Sequence, residues 1–210
     1  MKLLVFSDLH EEERALKSLY SLFSKEKCEH VLICGDISRT VAFAEEVLSV
    51  FPHSFIVPGN WDSESVNVIL KKHKGYAHGR RFEISENLNV VGFGYTPFTP
   101  FNTFGERSEN DIYAGMKDLP IDNNTILMLH CPPRGHFDKV VRGNAGSTSI
   151  LNVINQKKPF AAFFGHVHEH EGMEQLSDTC LIKLPAANNM EACIIEITKN
   201  HKITSNFVRL

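Results

Sequence analysis

Seven residues at five places in the chain carry side chains able to bind a metal ion: Asp8 and His10 in SDLH, Asp36 in GD, Asn60 in GNWD, His130, and His166 and His168 in GHVH. Two Asp, one Asn and four His mix hard oxygen with borderline nitrogen donors. Such a set suits Mn, Fe, Zn, Co or Ni, with Mn the default, rather than Mg or Ca, which prefer all-oxygen shells. A pair of divalent cations ~3.5–4 Å apart needs one ligand that bridges and several neutral donors, because too many carboxylates would cancel the Lewis acidity. Asp36 is the natural bridge. Taken singly, each His has a plainer explanation as a surface or hydrogen-bonded residue; the placement of the whole set is what points to chemistry.

Each motif stands where an apolar run stops: LLVF (3–6) before SDLH, VLIC (31–34) before GD, FIV (55–57) before GNWD, ILML before His130, and FAAFF before GHVH. Ligands of α/β sheets bind outside the carboxyl ends of the strands, so five such ends on neighbouring strands would gather the seven side chains into one cleft. Gly35, Gly59 and Gly165 each precede a candidate ligand, where the lack of a Cβ permits a sharp turn or a close approach. Between the runs lie helical patterns: Leu16, Leu19, Leu22 and Phe23; Val41, Ala44, Val47 and Leu48; Val66, Ile69 and Leu70. The first part is therefore β-α-β, repeated. The second half is richer in strands, expected near 81–84, 88–93, 125–130, 160–165, 180–184, 192–197 and 202–207, with one helix over about 147–157. GYTPFTPFNTFGER, starting at Gly94, is too broken for a regular element and too apolar for a free linker, which predicts an ordered loop.

The 210 residues fit one domain, 1–210. A 42% apolar and 22% charged composition excludes a disordered or collagen-like chain. The net charge of -3 argues against a protein that grips duplex nucleic acid, and leaves a small phosphorylated substrate compatible. Five cysteines with no C-x-x-C pair suit reduced thiols in a cytoplasm, and Cys34 and Cys131, each beside a motif residue, read as small buried fillers. The first apolar run ends after five residues, so neither a signal peptide nor a membrane span is expected. The oligomeric state is not encoded in these patterns.

In order, Asp8-Leu9-His10, Gly35-Asp36, Gly59-Asn60-Trp61-Asp62, His130 and Gly165-His166-Val167-His168 resemble the motifs D-x-H, G-D, G-N-H-[DE], H and G-H-x-H of the calcineurin-like metallophosphoesterase family. The resemblance implies an α/β (α+β) fold: a four-layer αββα sandwich, two mixed β-sheets flanked by helices. It implies that Asp8, His10, Asp36 and His168 hold one divalent transition-metal ion, and Asp36, Asn60, His130 and His166 a second. A bridging hydroxide would attack phosphorus in line with the leaving group. Residues 131–149 and the T-P-F loop resemble small, largely prokaryotic, stand-alone members of the family.

The sequence departs from that family at Trp61, where the motif has a His thought to stabilise the transition state or protonate the leaving oxygen. An indole N–H donates a hydrogen bond but exchanges no proton near neutral pH, so a general-acid contribution of typically ~10²–10⁴-fold would be missing. The expected function is hydrolysis of phosphodiesters, cyclic phosphates or activated phosphate esters on small, nucleotide-like substrates. The alternative is a catalytically weak or inactive nucleotide-binding or interaction protein of the same fold. Trp61 could offer a stacking face to a nucleobase or simply fill the space of the missing His. Asp62 would then cap the following helix. Arg134, Arg142 and Asn144 are candidates to touch the substrate phosphate, against a solvated loop face. His136 could reach the site as a substitute acid, though its position alone argues against it. His30, His53, His73, His78 and His201 are expected at the surface or at strand edges.

Overall fold

A computed structural model describes residues 1–141 and 143–210. Two large mixed sheets lie face to face. The first has the order β15-β14-β1-β2-β3, built from β1 (Lys2–Phe6), β2 (His30–Cys34), β3 (Phe55–Val57), β14 (Glu191–Ile197) and β15 (Ile203–Arg209). In it β1, β2 and β3 run parallel, and β14 closes antiparallel on β1, Leu4 facing Ile194. The second has the order β12-β13-β11-β8-β5-β4, with β4 (Arg81–Ser85), β5 (Leu88–Phe93), β8 (Thr125–Leu129), β11 (Ala161–Phe164), β12 (Gly172–Leu176) and β13 (Thr179–Lys183). Its four inner strands are parallel and its two edges antiparallel.

Parallel sheets need cover on both faces, and three apolar layers supply it. Leu3, Val5, Leu32 and Val57 of the first sheet meet Val90, Ile126, Met128 and Phe163 of the second. Helices α1 (Glu13–Glu26), α2 (Val41–Val50) and α3 (Glu64–Leu70) place Leu16, Leu19, Val47 and Leu70 over the outer face of the first sheet, against Leu4, Phe6 and Ile33. Helices α4 (Glu109–Met116) and α5 (Thr148–Lys157) cover the second sheet with Ile112, Met116, Ile150 and Val153. This is the αββα sandwich expected from the motifs.

Most elements fall within a residue or two of their expected places. Helix α4 and the edge strand β12 were not anticipated: α4 buries only Ile112 and Met116 and contains Gly115, and β12 alternates half-buried with exposed residues on a charged edge. The five motif-bearing strand ends are split between the sheets, β1, β2 and β3 on one and β8 and β11 on the other. The 94–108 segment is ordered, as expected, and holds two short parallel strands, β6 (Thr96–Pro97) and β7 (Glu106–Arg107). Another two-stranded ladder joins β9 (Lys139–Val140) to β10 (Gly143–Asn144). Among the described residues no helix is long and apolar enough to cross a membrane.

Candidate metal centre

Immediately after the strands the backbone bends hard. Asp8, His10, Asp36 and His166 all have positive φ, at 57°, 45°, 54° and 71°. This left-handed region is uncommon for residues with a Cβ and clusters at functional sites. The bends interlock: Asp8 N donates to Gly35 O (3.0 Å), His10 N to Asp36 O (3.1 Å), and Gly165 N to His130 O (3.0 Å). Two glycines are dictated by this crowding. Gly35 sits at φ +90°, and a Cβ there would lie 2.7 Å from both Gly59 Cα and His130 Nδ1; a Cβ on Gly165 would fall 2.0 Å from Ser7 Oγ and 2.3 Å from Asp8 Oδ2.

All seven expected side chains come together. Six of them form two groups, Asp8 with His10 and His168, and Asp36 with His130 and His166, each with donor atoms within 4.8 Å of one another. Asp36 Oδ2 stands between them, 3.8 Å from His10 Nε2 and 3.3 Å from His130 Nε2. His168 Nε2 lies 3.3 Å from Asp8 Oδ1, and Asn60 Oδ1 2.9 Å from His130 Nε2.

The donor set fits cations. His130 Nδ1 lies 2.9 Å from the carbonyl oxygen of Cys34 and must donate to it, which leaves the lone pair of a neutral ring on Nε2. That lone pair faces Asn60 Oδ1, also an acceptor, because the Asn60 amide donates to Thr103 Oγ1 (2.9 Å). Two acceptors at this distance require a proton or a cation between them. Asp8 Oδ1 is likewise buried with no hydrogen bond among the described residues. Burial would push His130 down, but the Asp36 carboxylate outweighs it and raises the imidazole to about 9. Burial and the neighbouring His130 charge push His166 to about 4. Asp8 is held well below the usual carboxylate range: burial opposes ionisation, and His168, His130 and Lys183 overcome it.

Further residues support the centre, and of these Thr96 and Lys183 stood in no motif of the sequence. Asp62 does not cap α3; that position belongs to Ser63, whose Oγ accepts from Val66 N. The buried Asp62 carboxylate instead accepts four backbone N–H groups, from Gly59 (2.7 Å), Ile37 (2.9 Å), Ser38 (3.0 Å) and Asp36 (3.1 Å), tying the GD and GNWD loops together. Burial and the Asp36 charge push it up to about 7 against those donors. Thr96 Oγ1 lies 3.3 Å from His166 Nε2. Lys183 is fully buried, its ammonium donating to Leu184 O, and burial pushes it down to about 8 while Asp8 opposes the shift.

Other expected residues lie elsewhere. Arg142 falls outside the described residues. Asn144 donates to Asp138 Oδ1 (2.6 Å) and Arg134 to Asn144 O (3.2 Å), contacts within their own loop. His136 pairs with Glu174 of β12. His78 is a half-buried strand-edge residue, bridged to Gly92: Gly94 N donates to its Nδ1 (2.9 Å), it packs on Phe93 and Tyr95, and burial lowers it to about 4. All five cysteines are buried and unpaired, and burial pushes Cys131 to about 12, so Cys34 and Cys131 are fillers. Trp61 is half-buried beside His10, ring centroids 6.1 Å apart.

The chain resembles known proteins in sequence and in fold. The uncharacterized protein MJ1162 of Methanocaldococcus jannaschii is 30% identical over 195 residues, 87% of each chain. The crystal structure of TT1561 of Thermus thermophilus superposes with a TM-score of 0.71 at 15% identity, covering 99% of both chains. A dimetal phosphatase from Danio rerio superposes with a TM-score of 0.68 at 11% identity, covering 99% of this chain and 95% of that one. The two superpositions establish a shared fold. The calcineurin-like phosphoesterase superfamily domain matches residues 1–184, and the chain belongs to that family.

Proposed function

We propose that the chain is a dinuclear metal-dependent phosphoesterase acting on small phosphodiesters, cyclic phosphates or activated, nucleotide-like phosphate esters. The observation that carries this reading is the position of Asp36 Oδ2 between the two ligand groups, where one carboxylate can serve two ions. Asp8, His10, Asp36 and His168 would hold the first ion; Asp36, Asn60, His130 and His166 would hold the second. Manganese is the first metal to test. Bound there, the ions supply Lewis acidity toward a water and a phosphoryl group. The chain itself fixes the His130 tautomer through Cys34 O and pins both acidic loops through Asp62. That a dimetal phosphatase shares the fold is consistent with two ions.

Trp61 sets the preference among esters. Its backbone N–H donates to Asp36 Oδ1 (2.7 Å), so the indole is held at the edge of the centre, where it can shape and bind but cannot protonate a departing alkoxide. Esters whose leaving group needs no acid are favoured. The reading takes residues 1–210 as one domain, because β14 and β15, beyond residue 184, complete the sheet that β1 belongs to. The unpaired cysteines are consistent with a cytoplasmic setting.

Metal analysis of the purified protein should find two transition-metal ions per chain, and the loaded protein should turn over bis(p-nitrophenyl) phosphate faster than p-nitrophenyl phosphate. Faster turnover of the monoester would refute the preference. Bound metal with turnover of neither ester would point to the binding protein instead.

A further inference from the structure

Beside the centre the chain leaves aromatic rings outside its core. Phe101 is 69% exposed and Phe98 73% exposed, both on the loop between β6 and β7. Rings this large are usually buried, and contiguous exposed apolar groups near a cleft mark binding surfaces. Phe101 is not isolated. Its ring centroid lies 6.4 Å from that of Trp61, and Trp61 in turn stands edge-on to His10 at 6.1 Å. A row of rings therefore leads from a candidate metal ligand outward. The Arg39 guanidinium lies 5.3 Å from the Trp61 ring centroid, adding a cation to the row.

The loop that carries Phe101 is fastened to the centre. Glu106 accepts from Thr99 N (3.0 Å), Thr103 N (2.8 Å) and Thr103 Oγ1 (2.7 Å), and Thr103 Oγ1 accepts from the Asn60 amide. The spacing of Phe101 from the ligands is thus set by a continuous hydrogen-bonded path, as recognition of a substrate group at fixed distance from its phosphate requires.

We propose that Trp61, Phe101 and Arg39 form a recognition surface for the flat aromatic part of the phosphate ester, a nucleobase before any other. This rests on the reading that the centre takes phosphate esters. Stacking of a base on an aromatic side chain is worth ~1–3 kcal/mol, so about tenfold in affinity is the expected scale. An aryl ester presents the same flat ring, and the probes below separate it from a base.

Trp61 is the only Trp in the chain, so its emission reports on the surface directly. AMP, phenyl phosphate and ribose 5-phosphate carry the same phosphate group on a base-bearing sugar, a plain ring and a bare sugar. Titrated into the manganese-loaded protein, AMP should quench Trp61 saturably and bind about tenfold more tightly than ribose 5-phosphate. AMP above phenyl phosphate identifies the base, and equality of the two identifies any flat ring; both support the surface. Phe101→Ala should bring AMP to within about twofold of ribose 5-phosphate, while Phe98→Ala, whose ring does not contact Trp61, should keep the difference. Equal binding of AMP and ribose 5-phosphate, or equal loss in both variants, would overturn the proposal. Because binding is read without turnover, a protein that hydrolyses diesters but ignores the base defeats only this inference. One that binds AMP through Phe101 and hydrolyses nothing defeats only the enzymatic reading.

Discussion

The two ligand groups have similar chemistry and different surroundings. Asp36 and His130 are buried, 1% and 0% exposed, with His166 half-buried, whereas beside the buried Asp8 the His10 and His168 side chains are 25% and 36% exposed. In the buried group each residue is held by a further partner: His130 by Cys34 O, Asp36 by Trp61 N, Asn60 by Thr103 and His166 by Thr96. In the open group, among the described residues, only Asp8 is held in this way, its Oδ2 accepting from His166 N (2.9 Å). A desolvated site with supported ligands favours tight retention of an ion, and a site with partly exposed imidazoles favours exchange and access by substrate. If the proposed ions bind, this difference would give them unlike roles that the donor list alone does not distinguish.

The sharpest way to break this comparison is to delete one imidazole from each group. His130→Ala leaves the Asp36 carboxylate without its buried partner, and should lower unfolding stability by about 3 kcal/mol and metal affinity by about a hundredfold or more. His168→Ala takes a partly exposed ring from the buried Asp8 carboxylate, which keeps its His166 N–H donor, and should cost less, about 1–2 kcal/mol, while freeing one of the two proposed ions. Chemical denaturation and metal counting on the two variants check both; equal losses would show that burial does not distinguish the groups. A smaller effect is expected at the rim. Trp61→His restores an acid next to the open group and should raise turnover of alkyl monoesters by about tenfold or more, leaving activated diesters nearly unchanged. An unchanged ester profile would remove Trp61 from the account of specificity.

The smallest effect concerns the tie between the loop and the buried group. Burial pushes the Glu106 carboxyl up, but Thr99 and Thr103 outweigh it and hold it below the usual range. A lowered carboxylate stabilises the fold above its unfolded pKa of ~4.3 and loses that contribution as pH falls through the folded value. Glu106→Gln should therefore cost about 1 kcal/mol at neutral pH and progressively less below pH ~4, as seen by thermal melts across that range. A cost that stays constant with pH would mean the loop is held by other contacts.

The candidate ligands could be picked out because each follows the end of an apolar run, where one local pattern gives both the strand and a possible donor. The αββα layering was legible through the resemblance those motifs carry. Their division between two sheets was not, because strand order depends on pairing that no local period encodes. Asp62 read as a helix cap by its place before SESV, yet its partners at 36–38 are brought near only by the packing of β2 beside β3. Thr103 gave no signal for the same reason, being 43 positions from Asn60. Helix α4 was lost to its Gly and its two-residue apolar face.

Four of the seven candidate ligands hold their backbones in the left-handed region. Each such residue raises the energy of the folded, metal-free chain by about 1 kcal/mol relative to one that adopts this conformation freely. Selection for stability alone would steer Asp8, His10, Asp36 and His166 toward Gly or Asn. A thermostability screen carried out without metal should therefore enrich replacements at these positions and erase the centre as it succeeds, whereas the same screen with metal present should spare them.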